Sequence, residues 1–189
     1  MNSTLKINNL NKINIENSDF FNDLDVRYKP SSVLILIFLS KDTEEILFLK
    51  RSNNLDFHKG EICFPGGSYK NADQDLLITA YREVEEEVGI KRSDINVLSF
   101  LDEEITRTGF IIKPFVGIIK KQVKIKIDNK EIVDYFMIPI KALKNNNNIR
   151  YFYSAGKNNK LEKKVSFSIQ GRLIWGATAN ILNQLLSKI

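Results

Sequence analysis

The sequence of 189 residues contains one cysteine, Cys63, and one histidine, His58. A single cysteine cannot form an intramolecular disulfide, and these two residues cannot supply a Cys₄ or Cys₂His₂ zinc site. A Ser-His-Asp catalytic triad would have to use His58. If the protein is an enzyme, its carboxylates are therefore the first candidates for the chemistry.

Long hydrophobic segments are also lacking. The longest unbroken apolar run covers residues 33–39, which is far shorter than the roughly 20 residues of a membrane-spanning helix and suits a buried strand. The N-terminal residues lack the continuous apolar core of a signal peptide. We therefore expect a cytoplasmic protein without a membrane partner.

The charge of the chain is only modestly one-sided. There are 28 basic and 23 acidic residues, for a net charge of +5, and the basic residues are scattered. A weak positive field favours small anionic ligands, whereas a nucleic-acid-binding protein typically shows a dense basic stripe. We expect a small-molecule partner and no nucleic acid. Nothing in the sequence indicates the oligomeric state.

The hydrophobic pattern predicts an N-terminal arm at residues 1–29, packed on one domain at residues 30–189. Within that domain, strand patterns alternate with two amphipathic helices, and we expect one mixed sheet with helices on its faces. Gly89 is expected to end the first helix and Pro139 to end a strand. Trp175 is expected in the core. The predicted strands are residues 32–39, 45–51, 95–101, 110–119, 123–127, 131–138, 149–154 and 164–169, and the predicted helices are residues 73–88 and 172–189.

Three acidic residues crowd the end of the first predicted helix. Glu83, Glu86 and Glu87 are related as i, i+3 and i+4 and therefore share one helix face. Each pair repels by up to about 3 kcal/mol, and the helix dipole disfavours each anion by about 0.3–1 kcal/mol. A bound Mg²⁺ would reverse this balance, since carboxylate oxygens are its preferred ligands. The alternative is a solvated acidic face relieved by nearby lysines.

A pair of glycines precedes this helix. Gly66 and Gly67 allow the backbone to approach a phosphate or a metal closely. The predicted helix then carries the three carboxylates back towards the glycines. Together, the glycine turn and the Arg82-Glu83-x-x-Glu86-Glu87 segment form a pattern more specific than either part.

This pattern resembles the signature of the Nudix hydrolases, G-x5-E-x7-R-E-U-x-E-E-x-G-U, in which U is aliphatic. Its second half is complete at residues 82–90. In the first half, one extra residue separates Gly67 from Arg82, and Gln74 replaces the expected Glu. The coenzyme A diphosphatase branch of the family has this longer spacing and an aspartate nine residues before the arginine, which is Asp73 in this sequence.

Motifs outside the helix are also similar to those of the coenzyme A diphosphatase branch. They occur at residues 47–52, Gly60, residues 64–67, 106–109, 114–117 and 174–179. One position departs from the branch, because its second arginine is Asp56 in this sequence. An acidic residue there would repel a phosphate.

The resemblance implies a Nudix-like α/β/α sandwich with a mixed β-sheet, an α/β (α+β) fold. It also implies hydrolysis of a phosphoanhydride with Mg²⁺ or Mn²⁺, with coenzyme A yielding 4'-phosphopantetheine and adenosine 3',5'-bisphosphate. The alternatives are a Nudix diphosphatase for ADP-ribose, a dinucleotide or a nucleoside triphosphate, and a Nudix-fold module that binds a nucleotide without cleaving it.

Carried over residue by residue, the resemblance implies metal ligation by Glu83, Glu87, Glu86 and the Gly67 carbonyl. Glu86 is alternatively the general base, a role also open to the loop residue Glu104 or its neighbour Glu103. Arg82 would pair with a carboxylate, either Glu86 or a loop acid, to hold it in place. The implied substrate-binding residues are Arg51, Ser52, His58 and Gly60.

Overall fold

The computed structural model describes residues 27–40, 42–55, 58–119, 122–128, 130–155 and 161–189. Most of the predicted N-terminal arm at residues 1–29 lies outside these ranges, and so does Asp56. The helices in these ranges are α1 (Leu76–Val88), α2 (Ile140–Leu143) and α3 (Gly176–Lys188). The strands are β1 (Lys29–Leu39), β2 (Glu44–Arg51), β3 (Ile62–Cys63), β4 (Gly66–Ser68), β5 (Asn96–Phe100), β6 (Glu104–Ile105), β7 (Phe110–Ile119), β8 (Ile132–Pro139), β9 (Ile149–Ala155), β10 (Leu161–Ile169) and β11 (Arg172–Ile174).

The main sheet is built around β1 and is mixed, as the sequence predicts. Strand β7 runs parallel to β1 over its length, while β2 pairs with β1 in antiparallel fashion only at residues 37–39. The two strands then separate. Strand β3 pairs with β2, and β4 pairs with β1, on the far side of this separation. The segment from β3 to β4 therefore runs between the diverging ends of β1 and β2.

The two faces of the sheet carry separate apolar cores. Leu34 and Leu36 of β1 pack with the apolar residues of α1, whereas Ile35 and Ile37 pack with those of α3. All four side chains are fully buried, because a strand covered on both faces has no solvent-facing positions. The chain is thus an α/β/α sandwich, which confirms the expected fold class. None of the helices in the described ranges is long and apolar enough to cross a membrane.

A second, smaller sheet has the strand order β11-β10-β9 and packs on the α3 side. Its β9–β10 hairpin confirms the pairing predicted for residues 149–154 and 164–169. Strands β10 and β11 are joined by Gln170 and Gly171, both left-handed, with φ of 52° and 74°. Because this turn reverses the chain, residues 172–174 form a strand. The sequence pattern predicts the start of a helix there, and that prediction is wrong.

Some of the predictions made for individual residues are confirmed, and others are wrong. Gly89 ends α1 in the left-handed conformation, with φ 68°, as predicted. The helix begins later than predicted, after Asp75, whose side chain caps it by accepting from the Ile78 N–H. Strand β8 ends at Pro139, as predicted. Trp175 is 48% exposed and not in the core.

The predicted strand at residues 123–127 is wrong. Residues 122–128 form no strand, although Val123, Ile125 and Ile127 pack in part against the α1-side core. One backbone hydrogen bond, from the Lys126 N–H to the Val88 carbonyl, ties the segment to the end of α1. The alternation of apolar residues therefore reflects packing on the domain rather than membership of a sheet.

Candidate functional site

The β3–β4 segment places the glycine pair beneath α1. Gly66 lies opposite Val33 of β1, and Gly67 lies opposite Ser32. A Cβ atom on Gly66 would lie 2.3 Å from the Ser32 carbonyl oxygen. Only glycine permits this approach of two backbones. The sequence Gly66-Gly67 therefore allows the β3–β4 segment to run between the diverging ends of β1 and β2.

Helix α1 presents its acidic face to these glycines. Its apolar stripe is buried against the sheet, and the acidic positions flank that stripe. The Glu87 carboxylate accepts a hydrogen bond from the Gly66 N–H, with 3.0 Å between N and Oε2. The Glu83 carboxylate lies over Gly67, where a Cβ would be 2.6 Å from its Cδ and Oε1 atoms. The apolar stripe consists of Leu76, Ala80, Val84 and Val88.

Arg82 ties the helix to the preceding loop. Its Nε and Nη2 donate to the two Asp73 carboxylate oxygens at 2.9 Å each. Its Nη1 donates to Glu83 at 2.6 Å and to Glu86 at 3.2 Å, and Nη2 also donates to the Ser68 carbonyl at 3.1 Å. All five N–H groups of the guanidinium are thus used. Of the two partners left open by the sequence, the structure shows both Glu86 and a loop acid.

Asp73 is the anchor of this arrangement. It is 5% exposed and also accepts from the Thr79 hydroxyl and the Lys70 N–H, at 2.9 and 3.0 Å. The hydrogen bonds from Arg82 hold the pKa of Asp73 well below its usual range. A buried carboxylate with this many donors remains charged, and it fixes the guanidinium that in turn fixes Glu83 and Glu86.

The three helix carboxylates have different environments. Glu87 is 5% exposed, and burial raises its pKa to about 8, although the Gly66 N–H and the charge of Arg51 oppose the shift. Burial also raises the pKa of Glu83, against the hydrogen bond from Arg82. Glu86 is the open member, with a side chain 52% exposed and Lys70 Nζ 3.6 Å from its Oε2. The buried Glu87 and the partly buried Glu83 therefore lie next to Glu86, whose carboxylate is accessible to solvent.

The donor set fits a hard divalent cation. Carboxylate oxygens and a backbone carbonyl are the ligands that Mg²⁺ and Mn²⁺ prefer. Glu83 and Glu86 already share one cationic group, the Arg82 Nη1. In the described residues, no three His, Cys, Asp or Glu side chains converge closely enough to hold a metal as they stand.

Arg51 is a substrate-binding candidate whose charge acts on this cluster. It ends β2, and its Nη2 is 3.8 Å from the half-exposed Glu131 carboxylate. Its Nε is buried and has no hydrogen-bond partner within the described residues. The charge of Arg51 opposes the burial that raises the pKa of Glu87. Burial also raises the pKa of the Cys63 thiol to about 12, again against the charge of Arg51. Arg51 thus combines an electrostatic effect on Glu87 with an unsatisfied donor.

The structure places the other three substrate-binding candidates in the loop after β2. Ser52 is buried, its N–H donates to the Glu131 carbonyl at 2.7 Å, and its carbonyl accepts from the Gly60 N–H at 3.4 Å. Gly60 is left-handed, with φ 65°. His58 Nδ1 lies 3.0 Å from the Glu61 carboxylate. The contacts of Ser52, His58 and Gly60 close the loop on itself.

Glu104 is not brought to the cluster. It lies on β6 opposite Ile112, so it shares the α3 face of the sheet, and it accepts a 2.7 Å hydrogen bond from Asn180 of α3. The preceding residue, Glu103, bonds Lys113 at 2.6 Å. Lys113 pairs in register with Ser32 of β1, on the α1 side.

Lys113 is a buried cation on the α1 side of the sheet that the sequence analysis did not single out. It is 7% exposed, with Nζ also 4.2 Å from the centre of the Phe100 ring. Partial burial raises the pKa of Glu103, but the hydrogen bond from Lys113 and other favourable contacts outweigh this effect, and the pKa of Glu103 is lowered overall. The available signal was a single lysine within the apolar segment that forms β7.

Comparison with known proteins agrees with this geometry. Residues 29–155 match the NUDIX domain family. The chain is 26% identical to the uncharacterized Nudix hydrolase NudL of Photorhabdus laumondii over 182 residues, which cover 91% of this chain and 97% of the relative. It is 32% identical to NudL of Yersinia enterocolitica over 161 residues, covering 84% and 80% of the two chains.

Solved structures share the fold at low sequence identity. A C. elegans Ap4A hydrolase binary complex superposes with a TM-score of 0.52 at 14% identity, covering 59% of this chain and 80% of that one. The NUDIX domain of Shewanella oneidensis NrtR, complexed with ADP ribose, gives 0.50 at 18% identity, covering 68% and 82%. The family match over residues 29–155 and the 32% identical relative establish that the chain belongs to the NUDIX domain family and is a Nudix hydrolase, an enzyme that hydrolyses a phosphoanhydride bond.

Proposed function

We propose that this enzyme hydrolyses the diphosphate of coenzyme A, releasing 4'-phosphopantetheine and adenosine 3',5'-bisphosphate, in the presence of Mg²⁺ or Mn²⁺. The observation that carries the hydrolytic part is the seating of Glu83 and Glu87 against Gly66 and Gly67. The coenzyme A part is supported by the branch-like motifs at residues 47–52 and 64–67 and by the nine-residue step from Asp73 to Arg82.

Glu83, Glu87 and the Gly67 carbonyl would hold the divalent ion. When bound, the ion neutralises phosphate charge and makes the phosphorus more open to attack by water. Burial raises the pKa of Glu87 and of Glu83. Burying the charge of these carboxylates costs free energy, and a cation bound at this position would offset that cost.

Glu86 is the residue we assign as general base. It is the accessible carboxylate of the three, and Arg82 holds it at 3.2 Å. The water oxygen forms a bond to phosphorus, the water proton passes to the Glu86 carboxylate, and the bond from phosphorus to the bridging oxygen breaks. Arg82 acts as a positioning residue, because all of its donors are engaged by protein acceptors.

Arg51 is the residue we assign to the substrate phosphates. The contact between its Nη2 and the Glu131 carboxylate is long, at 3.8 Å, and leaves that end of the guanidinium available for an anion, and a guanidinium binds phosphate in bidentate fashion. Ser52, His58 and Gly60 keep the adjoining loop in shape. Their assigned role is to present Arg51 and the loop backbone to the substrate.

The direct test is incubation of the purified full chain with coenzyme A, ADP-ribose, a diadenosine polyphosphate and a nucleoside triphosphate, with Mg²⁺ and then Mn²⁺. Conversion of coenzyme A to the two named products, at a higher kcat/KM than for the other compounds, is expected. Preferred turnover of another compound would overturn the coenzyme A assignment and leave the phosphoanhydride chemistry intact. Binding without turnover of any compound would favour the non-catalytic module.

Another nucleotide is the second candidate substrate. Asp56 stands where the coenzyme A branch has an arginine, and the structural relatives described above are an Ap4A hydrolase and a domain complexed with ADP ribose. An acidic side chain at that position would disfavour a substrate phosphate. The substrate panel separates the two candidates directly.

A further inference from the structure

Strand β9 forms an exposed edge of the smaller sheet. It pairs with β10 on one side, and the described residues provide no strand on its other side. The side chains of Tyr151, Phe152 and Tyr153 are 56%, 42% and 67% exposed. Three consecutive exposed aromatics on an edge strand are unusual, because edges are normally protected by charged residues, proline or bulges. The register of β9 with β10 has no bulge.

The β10–β11 turn determines which backbone groups face this open edge. Gln170 and Gly171 form a two-residue hairpin loop, so Ile169 and Arg172 are the closing hydrogen-bonded pair. Hydrogen-bonded pairs alternate along antiparallel strands, so the even-numbered residues of β10 direct their backbone groups towards β9. Their partners are Arg150, Phe152 and Ser154. The backbone groups of Tyr151 and Tyr153 therefore point outwards.

The two ends of the open edge are already closed by arginines. Arg150 Nη1 donates to the Ile149 carbonyl at 2.9 Å, and Arg107 Nη2 donates to the Ala155 carbonyl at 2.7 Å. Both carbonyls lie on the outward side, which agrees with the alternation deduced from the turn. Within the described part of the chain, the outward backbone groups left between them are the N–H and C=O of Tyr151 and Tyr153.

We propose that β9 pairs with β9 of a second copy of this chain, antiparallel, about a two-fold axis through Phe152. Tyr151 of each copy then lies opposite Tyr153 of the other, and the two residues exchange both backbone hydrogen bonds. Four hydrogen bonds close the edge, and the two small sheets become one sheet of six strands. In this register each contact between two different residues occurs twice, once in each direction, as an isologous interface requires.

Two arginines come together at each end of the paired edge. Arg150, the one charged residue within β9, lies opposite Ser154 of the second copy in this register, and Arg107 donates to the Ser154 hydroxyl at 3.4 Å. Lys163 and Lys164 of β10 are separated from their equivalents by both β9 strands, about 14 Å at the usual strand spacing. The exposed aromatic area and the backbone together bury about 1,000 Å², at the lower limit for a specific interface. Association in the micromolar range is therefore expected.

The first measurement is the mass of the full chain by sedimentation equilibrium over a concentration series from about 1 to 200 μM. The expected result is a rise from the monomer mass towards twice that mass. A concentration-independent monomer overturns the proposal, including the case in which another segment of the same chain covers β9.

The second measurement uses charge at the axis. Phe152→Lys places two lysines directly opposite each other, so the dissociation constant should rise at least tenfold, and Phe152→Glu should behave the same way. An equimolar mixture of the two variants should recover association, because each lysine then faces a glutamate. Leu173→Lys is the matched control, since Leu173 is 55% exposed but lies on β11. Circular dichroism checks that each variant folds.

Failure of the mixture to recover association, with both variants folded, would overturn the two-fold register. Equal weakening by Leu173→Lys would do the same, because it would locate the contact on β11. The readout is mass, so it is independent of whether the enzyme hydrolyses coenzyme A.

Discussion

Arg82 and Asp73 form a two-point ion pair across the start of α1, with Nε–Oδ1 and Nη2–Oδ2 distances of 2.9 Å each. The pair joins the loop before the helix to the turn that carries the acidic cluster. Because the same guanidinium also bonds Glu83 and Glu86, the pair couples the stability of the domain to the arrangement of its site.

Asp73→Asn should lower the free energy of unfolding by about 2 kcal/mol, since it weakens the charged hydrogen bonds between this buried side chain and the partly buried Arg82. Urea denaturation at pH 7 measures the change. Asp75→Asn is the matched control, because asparagine caps a helix as well as aspartate does. Equal stability of the Asp73 and Asp75 variants would show that the ion pair contributes nothing net.

The stability difference between the wild type and Asp73→Asn should depend on pH. The pKa of Asp73 is lowered on folding, so its contribution is present above its unfolded pKa of about 3.9 and is lost as the pH falls below that value. Urea denaturation of both proteins at pH 7, 5, 4 and 3.5 tests this. A difference that grows on acidification would contradict the assigned sign.

Glu87→Gln should reduce hydrolysis more than about 100-fold, because it removes the charge of a proposed metal ligand, and even partners of such ligands are worth about 10–100-fold. Initial rates with saturating Mg²⁺ measure it. Glu85→Gln on the same turn, where the side chain is exposed, should keep the wild-type rate. Wild-type activity of the Glu87 variant would remove Glu87 from the metal site.

The two glycines should respond differently to alanine. In Gly67→Ala the new Cβ meets the end of the Glu83 side chain at 2.6 Å, which can move, so activity should fall at least tenfold with a small change in melting temperature. In Gly66→Ala the Cβ meets the Ser32 carbonyl at 2.3 Å, so the domain should lose at least about 2 kcal/mol of stability. Full activity of Gly67→Ala would show that Glu83 tolerates displacement.

Glu104→Gln should leave the rate within about threefold of the wild type, since the side chain faces α3 and glutamine can still accept from Asn180. Glu86→Gln should lower the rate about 100-fold, the usual contribution of a general base. The two variants are compared by kcat at fixed metal concentration. The opposite ranking would make Glu104 the base.

Asp56→Arg should raise kcat/KM for coenzyme A about tenfold, because an arginine adds a charged hydrogen bond to phosphate. Asn54→Arg, in the same loop, controls for the added charge. An unchanged or lower value for the Asp56 variant would show that this position does not determine specificity.

The main elements could be predicted from the sequence because their patterns are local. Residues 33–39 are apolar throughout because β1 is covered on both sides, and the spacing of Leu76, Ala80, Val84 and Val88 follows helix geometry. The predicted strand at residues 123–127 is wrong for the same reason, since apolar alternation reports burial and does not show that a partner strand exists.

The grouping of Glu83, Glu86 and Glu87 on one helix turn was determined by the sequence alone, because helix geometry relates residues three and four apart. The partners of these carboxylates were decided by the tertiary structure. Gly66 is 21 residues from Glu87 along the chain and meets it only because β4 enters the split between β1 and β2. Long-range strand pairing also turned Glu104 towards α3 and left Glu103 bonded to Lys113. No local pattern encodes such contacts, since they depend on which distant segments share a face of the sheet.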